Sequence, residues 1–207
     1  MTLLFAKTFL IGLSIAAPVG PIGLLCIDRT LRRGPAVGLA TGMGAAVADA
    51  VYGTVGVLGT GAVLAMLLGL RPLVAGLGAL FLLWLAWSIW RSEAAAPAAP
   101  AAPDGAGGAW GAFAGTFLLT LSNPATILSF MSIFAALAPP GDIGSGDKAI
   151  MIAGVFAGSA AWWLFLVGGV SRIAALATAR IQRAVRRLSA CVLAGFGVWQ
   201  LLSLATG

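Results

Sequence analysis

The chain has no histidine, two cysteines, one tyrosine and little charge: Asp, Glu, Lys and Arg make up 9% of its 207 residues. Without histidine the commonest side-chain ligand of transition metals is missing. Cys26 and Cys191 lie far apart in apolar segments and form no CxxC, which argues against disulfide exchange and structural zinc. No GxxxxGK[ST] loop occurs, so ATP is not the direct energy source. No cofactor and no nucleic-acid partner is expected. The shortage of charge also excludes a soluble domain. The chain is 60% hydrophobic with a mean hydropathy of +1.05, more apolar surface than 207 residues can hide from water.

What is present is a series of apolar runs, several of them long enough to cross a bilayer at about 20 residues per helix. Lipid offers backbone groups no partners, so the spans are helices, and the alternation of a membrane barrel is absent. The expected fold class is an all-α polytopic membrane protein with six transmembrane helices, roughly 3–28, 36–58, 73–90, 111–137, 149–170 and 188–206. The N-terminus lacks a basic leader and a convincing cleavage site, so its apolar run reads as a retained first span. Residues 59–70, "GTGAVLAMLLGL", are apolar but short, and read as a surface or re-entrant piece before Arg71-Pro72. Residues 91–110 form a Pro/Ala/Gly linker between a first three-helix unit, 1–90, and a second, 111–207.

The pI near 10.7 reflects arginines in short segments between spans, which are topology signals. Arg29, Arg32 and Arg33 lie in 28–35, Arg91 in the linker, and Arg172, Arg180, Arg183, Arg186 and Arg187 in 171–187. With six spans all nine fall on one side, against Lys7, Arg71 and Lys148 on the other. The bias places the arginine side in the cytoplasm and both termini outside.

The halves echo one another. "FLIGLSIAAPVGPIGLL" resembles "FAGTFLLTLSNPATILSF", and the second and third spans have counterparts in the fifth and sixth. Three spans per half give the halves opposite orientations, an inverted-topology repeat of the kind common in secondary transporters. Chance similarity between greasy segments is the alternative.

Spans 1 and 4 carry prolines where a helix should be continuous. Pro18 frees the carbonyl of Ser14, Pro21 that of Ala17 and Pro124 that of Thr120, and each freed group costs several kcal/mol in hydrocarbon unless satisfied. Asn123-Pro124 reads as an N-cap followed by the first position of a helix, and Gly20-Pro21 opens a similar half-helix, "PIGLLCIDRTL". Helix N-termini carry partial positive charge and bare N–H groups, so two of them meeting at mid-membrane would suit a carboxylate. A kink that merely helps packing is the plain reading.

Asp49 stands near the middle of span 2, where a charge costs about 2.5–3.5 kcal/mol, and hydropathy makes it the only buried acid. Its helical face carries Gly42, Ala45, Ala46, Tyr52, Gly53 and Gly56, small residues that turn it inward. It would bind a substrate ammonium, exchange a proton, or make a structural hydrogen bond. The repeat sets Trp163 opposite it, or Trp162 if the register slips by one. Asp28 beside Arg29 reads as interfacial and paired locally. Gly34, Gly38 and Gly42 repeat a GxxxG spacing that serves packing within the fold or between subunits.

"APVGPIGLLCIDRTLRRGPAVGLATGMGAAVADAVYG" resembles the first segment of the lysine exporter (LysE/RhtB-type) amino-acid efflux family. Pro18, Gly20 and Pro21, then Arg32 and Arg33, then Asp49, match its proline-glycine-proline motif, basic loop and acidic second span. "FLLTLSNPATILSF" is similar to its second-half motif through Asn123 and Pro124, with Ala125 where lysine is common. The resemblance implies an inner-membrane exporter of amino acids or related small metabolites, driven by an ion gradient and dimeric. The candidate site is Ser14, Pro18, Gly20, Pro21, Asp49, Tyr52, Asn123, Pro124 and Trp163, with Asp49 as the coupling residue. The rivals are a divalent-cation exporter of a related membrane family, which would need more ligands than one deep carboxylate, and a non-transporting scaffold, which would need neither Asp49 nor the breaks.

Overall fold

A computed structural model describes residues 1–18, 20–58, 61–94, 108–123, 126, 130 and 144–206. Among them every regular element is a helix: α1 (Thr2–Ala16), α2 (Pro21–Arg33), α3 (Pro35–Leu58), α4 (Gly61–Ala94), α5 (Gly108–Leu121), α6 (Ser145–Ala174) and α7 (Ala179–Thr206). Three stretches, Pro35–Val57, Ser145–Ala174 and Ala179–Ala205, are each long and apolar enough to cross a membrane. α1 and α2 meet that test only together, as a pair bent by 79°, and Ala75–Arg91 and Gly108–Leu121 are shorter apolar helices.

The expected half-helix is present. α2 starts at Pro21 with Gly20 as its N-cap, because a proline at the first helical position gives up an N–H that has no partner there anyway. α2 ends at Gly34, whose φ of +85° lies where only glycine is comfortable, and Pro35 opens α3 directly.

Two features differ from the hydropathy reading. The helix from Gly61 runs through Arg71 and Pro72 to Ala94, so no separate piece ends before Pro72. An internal proline removes one backbone bond, which the helix on either side outlasts. The arginine segments 28–35 and 171–187 are mostly helix: only Gly34 separates α2 from α3, and only 175–178 separate α6 from α7. Charge ends an apolar run, but arginine is a good helix former and carries the helix onward. α5 stops at Leu121, close to the expected break, and most of the remaining fourth span, like most of the linker, lies outside the described residues.

α1 packs along α6, α3 along both α5 and α6, and α4 along α7, while α2 lies against α3, α6 and α7. Small residues make these contacts close. A methyl group on Gly158 of α6 would strike the Phe9 carbonyl and come within 2.8 Å of the Leu13 nitrogen of α1. A methyl on Gly44 of α3 would strike the Phe113 carbonyl and come within 3.0 Å of the Phe117 nitrogen of α5. Backbones this near gain dispersion contacts that larger side chains would forbid, which is how helices associate where lipid is as apolar as leucine. The GxxxG face is spent within the fold: a methyl on Gly38 would meet Thr30, and one on Gly42 would meet Trp163. Leu25, Leu82, Leu85, Leu119 and Leu193 fill the core between α2, α4, α5 and α7. Cys26, Ala45, Ala46, Trp163 and Val167 fill that between α2, α3 and α6.

Candidate functional site

Asp49 sits where α3 crosses α6 and is 3% exposed. The Ser159 hydroxyl of α6 donates to its Oδ2 at 2.7 Å, and the Trp163 indole N–H, one turn along, donates to Ser159 Oγ at 3.2 Å. The second half thus meets the acid with a two-step chain of donors, and Trp163, not Trp162, is its buried tryptophan. Ser159 was not a sequence candidate. Asp49 is also not the only buried acid: Asp28 is 4% exposed, with Arg32 at 3.6 Å. The bend of α2 carries Asp28 in among arginines, whose charge offsets part of the cost of burial.

Tyr52 follows Asp49 by three residues on α3, is buried, and donates its hydroxyl to the Leu121 carbonyl at 2.5 Å. Its ring stacks on Phe130, with centroids 5.6 Å apart. Leu121 is the last residue of α5, so Tyr52 reaches the point where that helix stops. The next carbonyl, that of Ser122, accepts from Gln200 Nε2 of α7 at 3.0 Å, and the same amide donates to the Ala75 carbonyl of α4 at 2.9 Å. Gln200 also escaped the sequence reading, although a lone amide in an apolar span is itself a signal.

The two breaks share a cavity. Pro21 and Ile22 at the start of α2, Asn123 just past α5, and Gln200 line a space of about 10 Å³, closed by Leu82, Leu119 and Phe196. That is room for about one water molecule. The first N–H groups of any α-helix lack partners within it, so this space lies at a positive helix end. Gly20 is half-buried beside it, its N–H donating to the Pro18 carbonyl at 2.8 Å. Ser14 and Pro18 are exposed and stand apart from this group, and Pro124 lies outside the described residues. The structure therefore brings Pro21 and Asn123 together at one end, Asp49 and Trp163 together at another, and sets Tyr52 between them.

Among the described residues no three Cys, Asp or Glu side chains gather as a metal site would require. Neither the curated proteins nor the solved structures include a match to this chain. The sequence matches the LysE type translocator family over residues 13–204, nearly its whole length, so the chain belongs to that family of membrane efflux transporters.

Proposed function

We propose that the chain exports amino acids or related small metabolites across the inner membrane, driven by inward proton flow. The observation that carries this reading is the shared cavity of Pro21 and Asn123 at the N-terminus of α2. A carboxylate is favoured there by the helix end, and Asp49, reached through Tyr52, is the acid left for an ammonium or a proton. A cavity with room for about one water is too small for an amino acid, so loading requires α2 and α5 to part.

The fold in this reading is two inverted three-helix repeats with broken first helices, six spans in all. Its support is a pairing that survives exchange of the halves: α1 on α6 mirrors α5 on α3, and Gly158 against Phe9 mirrors Gly44 against Phe113. The nine arginines at the ends of α2, α4 and α6 and the start of α7 support a cytoplasmic location for that side and external termini.

Asp49→Asn keeps the shape and a hydrogen-bond acceptor and removes titration. In proteoliposomes with an imposed proton gradient and a panel of labelled amino acids, it should insert normally and lose gradient-driven transport. Transport at the unaltered rate and pH dependence would make Asp49 structural only. No substrate in the panel moving with the unaltered protein would count against amino-acid export itself.

A further inference from the structure

A second cavity, of about 90 Å³, lies between the ends of α2 and α4 and takes no part in the site above. Arg29, Arg32 and Arg33 line it against a single acid, Asp28, so three positive charges face one negative. Asp28 is matched by Arg32. Asp28 also feels the charge of Arg186 on α7, whose Nε is buried with no hydrogen-bond partner. A buried donor on a charged group that is left unpaired is costly. Surplus positive charge beside an orphaned guanidinium donor calls for an oxyanion, the acceptor that arginine matches best.

The remaining walls say which oxyanion. Leu25, Leu85 and Ile89 are buried and apolar, and the cavity opens at Ser88 and Arg33, the exposed residues of its lining. Next to Ser88 on α4, Trp84, Trp87 and Trp90 are 60%, 60% and 52% exposed. The Arg91 guanidinium lies over the Trp87 ring, 5.4 Å from its centroid. Exposed tryptophans mark the headgroup level of a bilayer, and basic pockets between membrane helices hold lipid headgroups there. A soluble anion would need the charge but neither the apolar wall nor the exposed tryptophans on the same helix.

We propose that this cavity binds the phosphate of an anionic phospholipid, with the arginines on the phosphate and the apolar wall of α2 and α4 against the glycerol and upper acyl chain. The lipid would grip the far end of the half-helix that begins at Pro21.

The purified full chain, titrated with phosphatidylglycerol, phosphatidylcholine or inorganic phosphate while its melting temperature is followed, tests this. Phosphatidylglycerol should raise the melting temperature, and the other two should not. Arg33→Gln should weaken the phosphatidylglycerol effect about fivefold in lipid concentration, the worth of one arginine at a membrane surface. Arg32→Gln also unpairs Asp28, and Arg186 stands outside the lining beside the same acid, so the test rests on Arg33→Gln. Arg180→Gln, exposed and outside the cavity lining, should change nothing. Equal stabilisation by phosphatidylcholine overturns the proposal, as does full stabilisation by inorganic phosphate at matched phosphate, which would identify a soluble-anion site. An Arg180→Gln loss as large as that of Arg33→Gln also overturns it, since the effect would then be diffuse surface charge.

Discussion

At the end of α1 the bonds among the described residues are local. The Ala17 N–H donates to the Leu13 carbonyl, the Gly20 N–H to Pro18 and the Leu24 N–H to Gly20, all at 2.8–3.1 Å. At the end of α5 two consecutive carbonyls are taken by side chains from elsewhere: Leu121 by Tyr52 of α3 and Ser122 by Gln200 of α7. On the first side, among the described residues, such a contact is longer and lies farther along α2, from the Ser189 hydroxyl of α7 to the Leu24 carbonyl at 3.3 Å. The first break is therefore written into its own few residues. The second has local bonds too, from the Ser122 N–H to Leu118 and the Asn123 N–H to Thr120, but α3 and α7 add one bond each, so a displacement of either helix is felt there.

The comparison can be broken most severely at the closest contacts, where the halves behave alike. Gly158→Leu and Gly44→Leu each drive a side chain into a neighbouring backbone, and each should cost more than about 3 kcal/mol. Yield of monodisperse protein in detergent should fall sharply for both. If Gly44→Leu is harmless while Gly158→Leu is not, the two contacts are not equivalent and the mirror pairing loses its support.

A smaller effect separates the breaks. Gln200→Leu removes two bonds to buried carbonyls and should cost about 1–3 kcal/mol of thermal stability, judged from polar contacts between membrane helices. Transport should fall by more than the stability change explains, because the amide also lines the shared cavity. Ser189→Ala, the matching change near the first break, should cost about 0.6 kcal/mol or less and leave transport nearly intact. Equal losses in the two variants would mean that both breaks lean on α7 to the same degree.

Much of this was legible in the residues. Proline spacing located the start of α2, because a ring without an N–H belongs at a helix start. Small residues at helical intervals gave the buried face of Asp49, since only glycine and alanine let backbones come so near. The likeness between the halves offered Trp163 or Trp162 across from it, and Trp163 is the buried one. What escaped were bonds that join distant parts of the chain. Ser159, Gln200 and the partners of Arg29 are ordinary residues until another helix brings an acceptor within 3 Å or so, and no periodicity records that. The helix ends near arginines were misplaced for a different reason: hydropathy measures preference for lipid, whereas backbone hydrogen bonding continues past the membrane edge.

One contact sets what kind of motion the arginine-rich end permits. Arg29 Nη1 donates to Thr41 Oγ1 of α3 at 3.1 Å, and to Thr116 Oγ1 and the Ala112 carbonyl of α5 at 3.1 and 3.3 Å. Each threonine spends its own proton on its own helix, Thr41 on Val37 and Thr116 on Ala112, and so offers Arg29 only lone pairs. That nitrogen has two hydrogens for three acceptors. As α2 turns, a hydrogen can pass from one acceptor to the next without ever being left bare. The contact therefore works as a bearing rather than a bolt: it resists pulling α2 away from α3 and α5, and offers little resistance to small rotation about the point where they meet.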